Sequence, residues 1–193
     1  MRSTETLFSE LISGQDARAE QAALALGRTG ADALPGLSAL LADDDPDHRW
    51  WAVRTLGEID DPAGNPLLKK ALHDPASTVR QCAARALINH PADTLIPDLI
   101  GCLGSEDPLL ARLAGSALAA AGRPAVPSLL AAMETGTQRA RLEAVKALAG
   151  IKDPRAIPAF FHAVQDGDSP LVEYWAEIGL ENLGIGMAFF HPG

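Results

Sequence analysis

The chain has 193 residues, of which 47% are hydrophobic but only 5% aromatic, and its formal net charge is −9. The acidic balance argues against a nucleic-acid binder and against an anionic membrane surface as partner, because both require basic surface. No apolar run is long enough for a transmembrane helix, and no apolar segment follows the N-terminus as in a signal peptide, so the sequence predicts a cytoplasmic protein. Two cysteines, Cys82 and Cys102, are too few for a disulfide framework.

Six leucines recur along the chain at steps of 30 to 32 residues, and an alanine precedes each of them by four residues. Residues at i and i+4 share one face of a helix, so each pair marks the buried stripe of a helix that lets a neighbour come close at the alanine. The pairs are Ala22 and Leu26, Ala52 and Leu56, Ala83 and Leu87, Ala114 and Leu118, Ala144 and Leu148, and Ala176 and Leu180.

Prolines mark a second set of helices, one before each of the last five leucines. Each opens an apolar run, and proline suits the first turn of a helix, where its missing N–H is not needed. They are Pro35, Pro66, Pro97, Pro127 and Pro158, and the first repeat has TLFSELISG in place of such a run. Acidic and Asp-Pro breaks separate the two helices of a repeat and are typical of solvated N-caps.

The pattern predicts an all-α fold, a right-handed α-solenoid of about six helical hairpins in one domain spanning 1–193. We expect repeats at about 1–32, 33–62, 63–93, 94–124, 125–154 and 155–186, followed by a C-terminal cap at 187–193. The apolar tail residues Met187, Phe189 and Phe190 favour such a cap over the open end of the last repeat. The alternative for this tail is a docking element for a partner or a second copy.

The third repeat contains DPASTVRQCAARAL, which resembles the short HEAT-like repeat of the phycobilisome-lyase type: Asp-Pro, then Val-Arg, then alanines and a leucine. The resemblance covers nearly the whole chain. Arg49, Arg80 and Arg141 occupy the arginine position, whereas the last repeat has Glu173 there. The resemblance implies an armadillo-like superhelix whose second helices line the concave surface.

No catalytic or metal-binding motif stands out in the sequence. The repeated arginines are expected to bury their stems and to pair with the acidic loops rather than to bind a ligand. None of the acidic loops has the ligand pattern of a calcium site, and the five histidines show no metal-ligand spacing. Cys82 is predicted on the outward side of its helix, where it has no CxxC partner.

The outward positions of the second helices form the candidate binding surface. Positions two, five and six before each leucine point away from the core, and the tryptophans, tyrosine and arginines there are the residue types that dominate binding energies. The candidate residues are Trp50, Trp51, Arg54, Arg85, Arg112, Lys146, Tyr174 and Trp175.

The sequence therefore predicts a non-catalytic scaffold without a cofactor, binding another protein or peptide with acidic and apolar residues. One alternative is a bilin lyase or lyase-subunit-like protein, in which Arg54 and Arg85 pair with the propionates of a tetrapyrrole while Trp51 stacks on its rings. A further alternative is a HEAT-like DNA-binding or DNA glycosylase-like protein, with Glu173 or Glu177 beside Trp175 as the carboxylate. The oligomeric state is left open.

Overall fold

The computed structural model describes residues 2–167 and 169–185. Within these residues the chain forms twelve α-helices and five short 3₁₀ turns, with no β-strand, which confirms the predicted all-α class. It divides into two compact units: an N-terminal unit that ends at Leu95 and a C-terminal unit that begins at Ile96. A single domain over 1–193 stays a prediction, and the predicted cap at 187–193 lies outside the described residues.

The N-terminal unit contains three hairpins of consecutive helices. Their bounds are α1 Thr4–Leu11, α2 Asp16–Gly27, α3 Leu34–Leu40, α4 Pro46–Leu56, α5 Asn65–Leu72 and α6 Ser77–Asn89. The second helices pack side by side in chain order, α2 against α4 and α4 against α6, while each first helix packs against its own partner. This is the stacking expected of a helical repeat array.

The C-terminal unit repeats the arrangement. Its helices are α7 Ile96–Cys102, α8 Pro108–Ala121, α9 Val126–Thr135, α10 Gln138–Ile151, α11 Ile157–Asp166 and α12 Pro170–Asn182. The second helices again pack in order, α8 against α10 and α10 against α12. Between hairpins the chain makes 3₁₀ turns at Gly30–Ala33, Pro62–Gly64, Asp93–Leu95, Arg123–Ala125 and Pro154–Ala156, and the predicted repeat limits fall inside these turns.

The alanine and leucine pairs form the core of both units, as predicted. All six alanines are fully buried and the six leucines are at most 2% exposed. Burial of a leucine side chain contributes about 1.5–3 kcal/mol, so these positions are a principal source of stability. The small alanines allow neighbouring second helices to approach.

The acidic breaks act as helix caps. The Asp45 carboxylate accepts a hydrogen bond of 2.8 Å from the N–H of Asp47 at the start of α4. The Asp107 carboxylate accepts from the N–H groups of Leu109 and Leu110, at 3.0 and 3.2 Å. These bonds satisfy first-turn donors that have no partner within the helix, so the predicted capping function is confirmed.

Two of the arginines at the arginine position of the repeat, Arg49 and Arg80, form hydrogen bonds with the loops. Arg49 donates from Nε and Nη2 to the Asp74 carboxylate, at 2.8 and 3.0 Å, and from Nη1 to two carbonyls of its own loop. Arg80 donates to the backbone carbonyls of Asp74 and Pro75. These bonds confirm the predicted structural role for both residues.

Candidate functional site

Four of the predicted binding residues lie on α4 and α6 of the N-terminal unit. Trp50, Trp51 and Arg54 are half-buried, and Arg85 is exposed. The two indoles meet edge to face, with ring centroids 4.9 Å apart and planes at 87°. This geometry is the favourable one for an aromatic pair, and the two rings form a corner.

The other four predicted residues lie on consecutive second helices of the C-terminal unit. Arg112 of α8 and Tyr174 of α12 are exposed, whereas Lys146 of α10 and Trp175 of α12 are half-buried. Tyr174 and Trp175 also meet edge to face, at 5.8 Å and 80°. The structure thus brings the predicted residues together as two sets, one in each unit.

The basic strip expected from the sequence is partly neutralised by acidic neighbours. Arg54 donates to the carboxylates of Glu20 on α2 and Glu58 just after α4. Burial acts to lower the pKa of Arg54, but these two bonds and the charges behind them outweigh it and raise the pKa. In the other unit the Lys146 Nζ lies 3.0 Å from the Glu143 Oε1.

Arg85 and Arg112 remain available for a partner. Both are exposed, and neither guanidinium forms an ion pair with any residue in the described part of the chain. They are the cations of the predicted surface that a ligand anion can reach without displacing an internal carboxylate.

The guanidinium charges of Arg54 and Arg85 act on the thiol of Cys82. Burial raises the pKa of its thiol to about 12, even though the two guanidinium charges act in the opposite direction. Because the thiolate is the nucleophilic form, Cys82 is a neutral, unreactive group at physiological pH.

Glu143 differs from the sequence expectation. Its position, five before Leu148, was predicted to point outward, but it is only 8% exposed. The reason is the packing of α8 on α10, where an added Cβ at Gly115 would lie 3.4 Å from the Glu143 Cβ, an ordinary van der Waals contact. Lys146 supplies the compensating charge.

A depression that was not predicted from the sequence lies between α2 and α4. It has a volume of about 510 Å³, within the ~300–1,000 Å³ of small-ligand sites. Its lining residues are Asp16, Ala17 and Glu20 from α2, and Asp47, Trp50 and Trp51 from α4. The signal was present in the sequence, because Asp16 and Asp47 are 31 residues apart and so keep the repeat spacing, but neither was among the predicted site residues.

Two negative findings concern the described residues alone. They contain no group of three or more histidine, cysteine, aspartate or glutamate side chains placed to hold a metal ion. They also contain no helix with the length and apolarity needed to cross a bilayer.

Stacked helical hairpins with a buried alanine–leucine stripe define an α-solenoid repeat protein. The sequence model of the HEAT repeats family matches residues 4–89 and 92–181, and the chain belongs to that family. Two solved structures share the fold. The complex of CpcE and CpcF of phycocyanin lyase from Nostoc sp. PCC7120 has a TM-score of 0.56 and 22% identity over 95% of this chain and 78% of that one. A designed armadillo repeat protein in complex with the peptide (KR)4 has a TM-score of 0.54 and 18% identity, over 94% of this chain and 100% of that one.

Three curated relatives carry names from bilin biosynthesis or a phycocyanin operon. Bilin biosynthesis protein RpcF of Synechococcus sp. (strain WH8020) is 39% identical over 90 residues, 47% of this chain and 43% of that protein. Phycocyanobilin lyase subunit beta of Nostoc sp. (strain PCC 7120) is 38% identical over 88 residues, which are 46% of this chain and 44% of that protein. The uncharacterized phycocyanin operon protein Z of Pseudanabaena tenuis (strain PCC 7409) is 31% identical over 145 residues, 70% and 72%. The match therefore spans less than half the length of the first two.

These relatives overturn two sequence-based predictions. The prediction of a non-catalytic scaffold is wrong, and so is the prediction that the chain is not an enzyme, because the relatives are named as bilin biosynthesis proteins and lyase subunits. The physical reason is that a missing nucleophile, base or metal motif excludes only enzymes that use their own reactive group. An enzyme that binds and orients the reactive groups of two other molecules needs no such motif.

Proposed function

We propose that this chain is a protein of the bilin-lyase type, which binds an open-chain tetrapyrrole and acts, as a lyase or lyase subunit, in its attachment to an acceptor protein. The similarity to the two proteins named for bilin biosynthesis and phycocyanobilin lyase supports this proposal. Because the match covers less than half of each of them, the activity and substrate are part of the proposal.

The observation that carries the proposal is the aromatic and basic surface of α4 and α6. Trp51 supplies a ring face on which a pyrrole system can stack. Arg85, exposed on α6, is free to pair with a propionate in the two-bond geometry that guanidinium and carboxylate favour. Arg54 takes the second propionate by exchanging one of its two glutamates.

The chemistry assigned to the chain is binding and orientation. Cys82 lies by the two arginines, but its raised pKa keeps the thiol protonated, so it does not compete with an acceptor thiol for the bilin. Holding the bilin in one orientation makes attack by an acceptor group effectively intramolecular, and this alone accelerates a reaction strongly. The bilin is therefore held without a covalent bond.

A second protein is part of the proposed function. One relative is named a lyase subunit, and a similar fold occurs in a complex of two lyase proteins. We therefore propose that the chain works with at least one other protein, the acceptor or a companion subunit. We place it in the cytoplasm, which suits two cysteines that form no disulfide bond.

The test is a titration of the purified chain with phycocyanobilin, followed by visible absorbance. We expect a saturable change in the bilin spectrum, and about tenfold weaker binding for Arg85→Glu, since a charge-assisted bond to the propionate is lost and a repulsion is added. Trp51→Ala should also weaken binding. Lys70→Glu is the matched control, because it makes the same charge change on α5, away from this surface.

Two outcomes would contradict the proposal. One is an unchanged bilin spectrum at saturating protein. The other is equal weakening by Arg85→Glu and Lys70→Glu, which would indicate a general effect of net charge instead of a site.

A further inference from the structure

The depression between α2 and α4 combines an aromatic corner with uncompensated negative charge. The indoles of Trp50 and Trp51 form one wall. Asp16 and Asp47 contribute carboxylates that form no ion pair within the described part of the chain. Glu20 adds a third carboxylate, which it shares with Arg54.

The residues that line the depression favour a cationic ligand with a planar or apolar group that can pack on the indole rings. Ionised carboxylates only accept hydrogen bonds, so the ligand must donate them. An indole face attracts a cation placed over it, most strongly for tryptophan. Arginine meets both requirements, because its guanidinium is planar, stacks on aromatic rings, carries five donors and is always charged.

Helix-end stabilisation accounts for only part of the arrangement. Asp16 and Asp47 lie in the first turns of α2 and α4, where a negative charge favours the helix dipole. That role does not require two half-exposed tryptophans and Glu20 to line the same depression. It does provide the control below, because Glu5 holds the same kind of first-turn position in α1 without lining the depression.

We infer that this depression binds an arginine side chain presented by a partner protein, with the guanidinium over the indole corner and hydrogen-bonded to Asp16 and Asp47. The inference concerns a protein contact and goes beyond the proposed handling of a bilin. It adds a contact of opposite charge to the partner expected from the sequence. That expectation depended on four cations, of which Arg54 and Lys146 are paired with glutamates.

The experiment uses NMR of the tryptophan indole N–H signals in the full chain without bilin, so its outcome is independent of the proposed function. The three signals are assigned with Trp50→Phe, Trp51→Phe and Trp175→Phe. The probe is Nα-acetyl-arginine N-methylamide, which is blocked at both ends like an arginine inside a polypeptide. Its neutral counterpart is Nα-acetyl-citrulline N-methylamide, which has the same shape without the charge.

We expect the Trp50 and Trp51 signals to shift saturably at millimolar arginine probe, while the Trp175 signal and the citrulline titration stay unchanged. Asp16→Asn and Asp47→Asn should each weaken binding by about two- to fivefold, as for loss of an exposed charge pair. Glu5→Gln should leave it unchanged.

Three results of the titrations with the blocked probes would overturn the inference. They are no shift at Trp50 and Trp51, an equal shift with the citrulline probe, and an equal loss in Glu5→Gln and the two aspartate variants. Tighter binding of free arginine than of the blocked probe would also overturn it, because the depression would then suit a metabolite instead of a protein side chain.

Discussion

At the scale of single residues, Asp74 joins two consecutive repeats of the N-terminal unit. Its carboxylate accepts two bonds from Arg49 of the preceding repeat and one from the N–H of Ala76. Burial acts to raise the pKa of Asp74. The bonds from Arg49 and Ala76, with the charges of Arg49 and Arg80, outweigh burial and hold the pKa below its ordinary value.

Asp74→Asn should therefore destabilise the fold by about 3 kcal/mol at neutral pH, because it leaves the guanidinium of Arg49 without its charged partner. A carboxyl whose folded-state pKa is lowered contributes stability above its unfolded pKa and loses it as the pH falls through the folded value. The difference between the two proteins should shrink below about pH 4. Urea unfolding over a series of pH values measures it.

Asp44→Asn is the control for this prediction. Asp44 is exposed, and its hydrogen bond to Arg49 comes from the backbone carbonyl, which the substitution keeps, so only a minor charge contribution is lost. A loss of stability at Asp44 equal to that at Asp74, or a loss at Asp74 that does not change with pH, would contradict the role assigned to the ion pair.

Cys82 yields a second prediction at this scale. Because burial raises the pKa of its thiol to about 12, alkylation by iodoacetamide at pH 8 should be at least about tenfold slower in the native chain than in urea. Mass spectrometry of the separate peptides distinguishes Cys82 from Cys102. Equal rates in the native and unfolded chain would show that the thiol is accessible and ionised.

Some residue-level features follow from the sequence and others do not. The alanine and leucine pairs were predictable, because helical periodicity alone decides which face is buried. The partners of Arg54 were not, because Glu20 is 34 residues away and meets it only through the lateral packing of α2 on α4. The charge that the candidate surface presents depends on such pairings between helices far apart in sequence, which helical periodicity does not predict.

At the scale of helices, the prolines predicted where first helices begin to within one residue. The helices start one position earlier than each proline, at Leu34, Asn65, Ile96, Val126 and Ile157. The cause is the 3₁₀ turn before each helix, whose backbone continues into the first helical turn. Periodicity does not reveal such turns, since they are only three or four residues long.

The contact between α11 and α12 depends on a glycine. A Cβ at Gly179 would lie 2.5 Å from two ring carbons of Phe160, which is fully buried. Gly179→Ala should therefore destabilise the chain by about 1–3 kcal/mol through overpacking. Thermal unfolding measured by circular dichroism tests this.

Gly150→Ala is the matched control, because a Cβ there meets no atom within 4 Å. In the helix α10 alanine is favoured over glycine, so this variant should be neutral or stabilised by up to about 1 kcal/mol. If both variants lost stability equally, the close packing of α12 on Phe160 would not be the cause.

At the scale of the whole molecule, the two units raise the question of cooperativity. The sequence predicts one array in one domain, and an array of stacked repeats unfolds as a unit when its neighbours are strongly coupled. Leu87→Asp places a charge at a fully buried position of α6 and should abolish folding of the N-terminal unit. Circular dichroism during heating reports how much helix survives.

If the whole chain unfolds as one cooperative array, Leu87→Asp should remove the entire thermal unfolding transition. Retention of about half the helical signal, with its own melting transition, would show that the C-terminal unit folds independently. Arg85→Asp on the exposed face of the same helix is the control and should melt like the wild-type chain.

The joint between Arg49 and Asp74 also bears on how such genes change length. The sequence DPASTVR places an acceptor, Asp74, in the break between the two helices of a repeat and an arginine, Arg80, six residues later. A tandem duplication of one such segment would bring a carboxylate acceptor for the arginine of the repeat before it, as Asp74 is for Arg49. Each new copy could therefore form the same contact with its neighbour, and proteins of this kind can be lengthened or shortened during evolution by whole repeats.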